Sequence, residues 1–365
     1  MEVNPVVILG GGLWGALLAY RMKSEMPHVR FKFYESKSKL NERHSWSFTQ
    51  AELGDKTILA LKPFLHQSWA THSFEFPGFQ RQIENKFHMI RGSEFYHDLK
   101  EQLADNFQVK DELNLDEALM EGCFVIDARS LSEYKGNEQK QFVEMEVELA
   151  SAHNLTQPVM MASEVAEDCD SYLQIIPVDF NKLLIRETRY LQGSSQLASE
   201  RSILSEIERR GWRVEKILHK ETGLVFMSHQ VNMPFMFGRT INIVGGSLAD
   251  SVDLIDRLIN ASSFRLGELK NVVQQFQKER MEDRKFTIRL NELMFKSSIR
   301  FQLFSHLYQL PQAVLERWQS ERLTKMDRMR ILSGKPLLPL LHALNAMYLM
   351  RKFFPPQSMN TRVLG

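Results

Sequence analysis

Apolar and polar residues alternate along this chain in a changing rhythm, and each change marks an element. Pro5-Val6-Val7-Ile8-Leu9 is a continuous apolar run rich in β-branched residues, which predicts a buried parallel strand. A glycine cluster, Gly10 to Gly15, follows, and Ala16 to Met22 then carries its apolar positions on one helical face. After a turn near Met26-Pro27, Phe31 to Tyr34 predicts a second strand ending at Glu35. Ser36 to Phe87 is irregular and aromatic, with extended pieces at Trp46 to Phe48 and His72 to Phe76. Pro77-Gly78 predicts a turn joining the latter to Gln80 to Ile83 as a hairpin. A helix capped by Ser93 is predicted to about Ala104, and another buried strand at Cys123 to Asp127. Gln141 to Arg189 reads as mixed strand, with alternation from Phe142 to Leu149. Ser199 to Arg210 predicts a helix ended by Gly211. Thr240 to Val244 is a strand leading through Gly245-Gly246-Ser247 into a helix to about Ile259. From Leu266 on, the pattern is helical, with turns near Pro311, Pro336 and Pro339.

That order predicts an α/β fold: a Rossmann-like, FAD-binding domain with an inserted β-rich substrate domain and a C-terminal helical region. The nucleotide domain is expected to be discontinuous, over 1–60, 90–135 and 235–265. The β-rich part takes 61–89 and 136–234, and the helical region 266–365.

Gly10, Gly12 and Gly15 satisfy the G-x-G-x-x-G spacing between a strand and a helix. The first glycine permits the tight turn, the second lets a pyrophosphate approach the backbone, and the third lets helix and strand pack closely. The helix N-terminus then offers N–H groups and a positive dipole end to phosphate. Glu35 lies 20 residues after Gly15, where a carboxylate accepts a ribose hydroxyl and repels the 2′-phosphate of NADP. FAD is preferred to NAD because the motif lies at the N-terminal end and because a second strand–glycine–helix element, with Gly245 and Gly246, comes late. The second of these reasons is an analogy with two-domain flavoproteins. Trp14 occupies a slot where a large aromatic is unusual; it covers the cofactor or packs on the sheet.

Composition adds limits. With 43% apolar and 25% charged residues, the chain is an ordinary globular one. Two cysteines, Cys123 and Cys169, are too few for a disulfide framework and fit a reducing compartment. No Cys, His and carboxylate cluster has metal-ligand spacing, so no metal is expected. The first apolar run is broken by glycines and lacks a basic flank, unlike a signal peptide. The expected location is cytoplasmic. Leu337 to Met350, the best spanning candidate, is short and holds Pro339, His342 and Asn345. Net charge is +1, but the segment from Arg280 onward holds 15 Lys/Arg against 6 Asp/Glu. There Phe295, Phe301, Leu303, Phe304, Leu307 and Tyr308 accompany Arg289, Lys296 and Arg300. Such a set either lies on an anionic bilayer or packs on the body with a solvated basic face. No nucleic-acid-binding motif is present, so no nucleic acid partner is expected.

Several segments, in order, resemble the bacterial lycopene cyclases, flavoproteins that close the ends of linear carotenoids into rings. Gly10-Gly11-Gly12-Leu13 matches their glycine turn. Glu42-Arg43-His44-Ser45-Trp46-Ser47-Phe48 is similar to their Asn-His-Thr-Trp-Ser-Phe motif. Val125-Ile126-Asp127-Ala128-Arg129 resembles their Val-Ile-Asp-Ala-Arg strand end. Leu184 to Tyr190 resembles their acidic-pair motif, and Leu323 to Pro336 their C-terminal helical signature. The resemblance spans residues 5 to 345. It implies an isomerase that works with reduced FAD, draws on NAD(P)H as external reductant and acts on an apolar isoprenoid. It places the chain at the inner face of the membrane, and Trp46 and Phe48 in a substrate or flavin pocket.

Two departures matter. The first and essential acid of the family's pair is here Arg186, leaving Glu187. Strand neighbours point to opposite faces, and a guanidinium, with a pKa above about 12, is no general acid. Gly246 stands where the cyclases carry tyrosine. Three outcomes follow: a cyclase using Glu187 or Asp127, a flavin-dependent oxidoreductase or monooxygenase on another apolar substrate, or a flavin-binding protein without cyclase activity. Glu187 also reads as a partner of Arg186 or Arg189, Asp127 as a turn cap, Arg129 as a phosphate ligand or a surface ion pair, and His44 as a structural hydrogen-bonding group.

Overall fold

The computed structural model describes residues 4–10, 12–36, 44–76, 78–111, 114–129, 139–162, 171–191, 198–226, 235–243, 248–296 and 300–333. In chain order the strands are β1 (Val6–Leu9), β2 (Phe31–Glu35), β3 (Ser45–Thr49), β4 (Gln67–Trp69), β5 (His72–Phe76), β6 (Phe79–Ile83), β7 (Phe87–Arg91) and β8 (Phe107–Val109). They continue as β9 (Val125–Asp127), β10 (Gln139–Leu149), β11 (Val159–Ala162), β12 (Ser171–Asp179), β13 (Lys182–Leu191), β14 (Val214–Phe226), β15 (Phe235–Phe237) and β16 (Thr240–Asn242). The helices are α1 (Leu13–Glu25), α2 (Gln50–Leu61), α3 (Gly92–Leu103), α4 (Leu115–Glu121) and α5 (Glu200–Arg209). The last five are α6 (Leu248–Ile259), α7 (Leu266–Lys296), α8 (Arg300–Gln309), α9 (Gln312–Gln319) and α10 (Lys325–Ser333).

Among the described residues the strands form three sheets. The first runs β15-β16-β9-β1-β2-β8 and is parallel except for the β15–β16 pair. The unbroken apolar run of β1 has a simple cause: Val6 and Ile8 face the main core with α1 and α6, while Val7 and Leu9 face α4 on the other side. A strand covered on both faces has no polar side. The second sheet, β14-β10-β13-β12-β11-β5-β6, is antiparallel apart from β11–β5. One of its faces, with Val143, Met145, Leu173 and Ile185, packs on Ile203 and Ile207 of α5. β3, β7 and β4 make a small third sheet, a separation the sequence pattern does not announce.

The hairpin at Pro77-Gly78 is present, with Phe76 paired to Phe79 and Gly78 at φ +73°. One helix start differs from expectation. Helix α3 starts two residues earlier, with Arg91 rather than Ser93 at the cap position and no side-chain cap bond. Ser199 precedes α5 without a side-chain cap bond; its N–H instead donates to Glu187 Oε2 at 2.7 Å. The buried Glu187 carboxylate thus ties the residue before α5 to β13 through its backbone.

The C-terminal helices cover the β5–β6 end of the second sheet. Leu303, Leu307 and Tyr308 are buried there with Phe74, Phe76 and Ile83, and Tyr308 stacks on Phe74 at 4.0 Å. Arg81 donates to the carbonyl oxygens of Tyr308 and Leu310. These three apolar residues therefore pack on the body rather than facing outward as a lipid-binding set would. The side chains of Phe295, Lys296, Arg300, Phe301 and Phe304 lie outside the described residues. Arg280 fastens α7 to α6, donating to Asp253 at 2.7 Å and to the Glu321 carbonyl at 2.8 Å. Among the described residues no helix is long and apolar enough to cross a membrane.

His72 on β5 is fully buried between Phe74 and Phe87, with Nδ1 donating to the Asn85 carbonyl oxygen at 3.0 Å. Burial pushes its imidazole down to about 4, against a smaller upward pull from the Asn85 carbonyl. The unfolded chain then binds the extra proton first, so stability falls as pH drops from about 6.5 toward 4. The expected loss over that window is about 3 kcal/mol. Urea unfolding at pH 7 and 4.5 should show a markedly smaller acid loss in His72→Phe; an identical loss in both proteins would refute the assignment.

Candidate active site

The glycine turn sits at the carboxyl end of β1, where the strand order reverses between β2 and β9, the place at which open α/β sheets bind ligands. Gly10 and Gly12 have φ of +39° and +61°, a region that L side chains rarely enter. A Cβ at Gly15 would lie 1.9 Å from the Gly10 carbonyl oxygen, so strand and helix meet there without room for a methyl group. No acidic residue stands in the first turn of α1 to compete for its N-terminus. Glu35 ends β2 and is buried, with Oε1 accepting the Ser36 N–H at 2.9 Å and Oε2 the Tyr96 hydroxyl at 3.4 Å. Gly10 lies directly beside it: a Cβ added there would be 3.4 Å from Glu35 Oε1. This cradle has the donors, the space and the acid to hold a dinucleotide. Gly245 and Gly246 lie outside the described residues.

Asp127 ends β9 next to this turn. Its carboxylate accepts the Arg129 N–H and Nε, both at 3.0 Å, and pairs with Nη2 at 2.8 Å. Hydrogen bonds to Asp127 push the Arg129 guanidinium up, against the lowering effect of burial. The contacts of Asp127 are those of a turn cap, with both carboxylate oxygens engaged by Arg129. Arg129 spends its guanidinium on the same pair. Trp14 is in the first turn of α1, half-buried against the main core.

Trp46 carries the cradle toward the large sheet. Its ring is 3.5 Å from where a Gly12 Cβ would stand, and it packs edge-on against Phe95 at 5.6 Å and Tyr96 at 6.2 Å. His44 meets its other side at 5.2 Å. Phe48 does not join it: it is 1% exposed in the main core beside His88, a correction to its expected place in a pocket. β3 alternates, so Trp46 and Phe48 turn toward the helices while Ser45 and Ser47 turn toward the second sheet.

On that sheet Glu221, Glu144, Arg186 and Gln174 are cross-strand partners on four adjacent strands, so they form one polar row. Arg186 donates to Glu144 Oε2 through Nε at 2.8 Å and to the Ser45 carbonyl oxygen at 3.3 Å, and lies over the Phe142 ring at 5.0 Å. Gln174 reaches the Ser47 hydroxyl at 3.4 Å. His44 Nδ1 bonds both oxygens of Glu221, at 3.0 and 3.1 Å. Burial alone would raise Glu221; the His44 hydrogen bond and the charges of His44, Arg186 and His219 outweigh it and hold the carboxyl below its usual range. Arg91 and Glu146 add a second ion pair, 2.9 Å, between the small and large sheets.

Glu187 faces the opposite way. It is wholly buried on the α5 side, accepting from Arg189 at 3.0 Å and from the Ser199 N–H at 2.7 Å. The expectation of Glu187 as acid is therefore corrected: both oxygens serve the fold, and the sheet itself lies between them and the row on its other face. Sequence reasoning missed Glu144 and Glu221. In Phe142 to Leu149 the glutamates alternate with apolar residues, the usual mark of a solvated face, yet Glu144 is 1% exposed. The available signal was Arg186 itself, a cation inside a strand that requires a counter-charge.

The arrangement joins a nucleotide cradle to an aromatic and acid–base wall. A search with family models finds the lycopene cyclase protein family over residues 5–345. The chain belongs to the lycopene cyclase family. Among curated relatives, the lycopene beta-cyclase of Pantoea ananas is 24% identical, with 93% of this chain and 97% of the relative covered. That of Pseudescherichia vulneris is 25% identical, covering 93% and 95%. Among solved structures, the flavin-dependent brominase Bmp2 aligns with a TM-score of 0.61 at 10% identity, over 96% of this chain and all of that one. A geranylgeranyl bacteriochlorophyll reductase-like protein from Thermoplasma acidophilum aligns with a TM-score of 0.61 at 11% identity, over 95% and 100%. At such identities the likeness is one of fold. It matches the expected α/β architecture, with its Rossmann-like sheet and added β-rich layer.

Proposed function

We propose that this lycopene cyclase family member binds FAD in the Gly10–Gly15 cradle and closes rings on an apolar isoprenoid of the carotenoid class. One observation carries the reading: the cradle opens on Trp46, and the strand bearing Trp46 turns its other face to the row of Glu221, Glu144 and Arg186. The N-terminus of α1 would hold the pyrophosphate and Glu35 a ribose hydroxyl. Reduced FAD supplies, when bound, an electron-rich ring system beside the substrate, with NAD(P)H as the external reductant and no net redox change.

The chain's own residues fit the rest of the chemistry. Protonating an alkene creates a carbocation, which water would trap. Trp46, Phe142 and Tyr96 exclude water and present aromatic faces, which attract cations. His44, hydrogen-bonded to Glu221, is the group placed to move a proton. An apolar isoprenoid is delivered from lipid, so we place the chain at the inner face of the cytoplasmic membrane. The basic C-terminal segment would make the contact, with Met326 and Met329 of α10 as exposed apolar residues.

The test uses purified protein loaded with FAD, reduced anaerobically and mixed with lycopene in anionic liposomes. Cyclic product and co-flotation of protein with the vesicles are expected. Unreacted lycopene, with flavin demonstrably bound, refutes ring closure; failure to float refutes the membrane contact. Arg186 in place of the family's acid favours one second reading, an oxidoreductase on an apolar substrate. Substrate-stimulated NAD(P)H oxidation without ring formation would establish that alternative.

A further inference from the structure

We infer that Glu144 is the counter-ion of this site: its free carboxylate oxygen faces positive charge on the bound substrate, and Arg186 positions it. The inference rests on the ring-closing reading for the identity of that charge, but not for the existence of a cation-favouring site.

Four observations carry it. Glu144 is 1% exposed, and its Oε1 has no hydrogen-bond partner among the described residues, whereas Oε2 is engaged by Arg186. A buried carboxylate oxygen left unpaired costs free energy, and native proteins rarely keep one without a use. Second, Glu221 is the direct cross-strand partner of Glu144. Like charges opposite one another destabilise a sheet, so the pair persists only against nearby positive charge. Third, Arg186 alone does not supply enough. It is the single permanent cation in the row, and it is shared among Glu144, the Ser45 carbonyl oxygen and the Phe142 ring. Fourth, the row adjoins the aromatic wall of His44 and Trp46 that leads to the glycine turn, so a cation held there would stand beside the cofactor cradle. Glu187 cannot take this part, because it lies on the other face with both oxygens bonded.

In this arrangement the carboxylate has moved one strand across the sheet. Position 186 carries the positioning cation, and the opposite residue on β10 carries the anion. The site then stabilises a carbocation electrostatically, as preorganised charge aimed at where charge develops.

The test compares binding of two probes to the flavin-loaded protein by titration calorimetry. One is a long-chain aliphatic tertiary amine, cationic at pH 7; the other is a neutral hydrocarbon of equal length. Wild-type protein is expected to bind the amine at least tenfold more tightly than the hydrocarbon. Glu144→Gln should lose the preference, but it leaves Arg186 unpaired and risks the fold. Glu144→Gln with Arg186→Gln removes both charges at nearly constant volume, and should keep hydrocarbon binding while losing the preference. A preference retained in the double variant, or absent in wild type that still binds the hydrocarbon, overturns the inference. Binding of neither probe overturns it together with the apolar-substrate reading. A wild-type amine preference without lycopene turnover upholds the counter-ion and refutes only ring closure.

Discussion

Gly15→Ala is expected to yield a protein that retains no flavin on purification and melts well below wild type. The added methyl carbon would lie 1.9 Å from the Gly10 carbonyl oxygen, 3.0 Å from the Gly10 carbonyl carbon and 3.1 Å from the Ala128 Cβ. Two of these three are backbone atoms, so no rotamer change relieves the clash. Either β1 and α1 move apart, or the Gly10–Gly12 turn opens. Overpacking a core costs about 1–3 kcal/mol, and a clash against backbone belongs at the top of that range. For a chain of this size, 3 kcal/mol lowers the melting temperature by roughly 4 °C. The turn that opens is also the phosphate cradle, so binding and stability should fall together. Gly267→Ala is the control: nothing lies within 4 Å of its added Cβ, and it stands in the first turn of α7. It should leave both properties intact. Visible absorbance of the purified variants and thermal melts provide the measurements. A Gly15→Ala protein with full flavin content and an unchanged melt would show that strand and helix do not meet as described.

Arg186→Glu is expected to be the more damaging change, although it puts the residue type of the family's acid back at that position. It would set a third carboxylate against Glu144 and Glu221 in a row where Glu144 is already buried. Breaking a buried ion pair by removing one partner costs about 3–5 kcal/mol, and like-charge repulsion adds to it. Combining Arg186→Glu with Glu144→Arg restores one cation facing one anion, and most of the lost stability should return. Urea denaturation of the single and double variants measures the coupling. A single variant as stable as wild type would mean that the pair carries no structural weight, and that position 186 tolerates either charge.

How far each part could be read in advance depends on the range of the forces involved. Gly10, Gly12, Gly15 and Glu35 were legible because backbone sterics and dipoles act over a few residues, and a short spacing rule captures them. The Phe76–Phe79 hairpin and the strands at Val6, Phe31 and Val125 were legible for the same reason. Ser93 as a cap was not, because the start of α3 is set by β7, which runs straight into it at Arg91. Nor was the bond from the Ser199 N–H to Glu187, twelve residues upstream in β13, because it depends on how α5 packs on the sheet.

The row of Glu221, Glu144 and Arg186 is the clearest limit. Alternation in β10 marks two faces, apolar and acidic, and local chemistry settles that much. It does not say which faces are covered. Glu144 is buried, and its neighbours partly so, because the small sheet of β3, β4 and β7 folds over this face and brings the Ser45 carbonyl oxygen, His44 and Arg91 to its charges. In the same way Glu187 and Arg186 are neighbours in the chain but belong to different sides of the sheet. The cradle for a dinucleotide is thus written into a short stretch of residues, since its geometry is made by adjacent peptide units. The electrostatics opposite it come from strands between about 40 and 220 residues along, whose pairing register alone sets which charges meet.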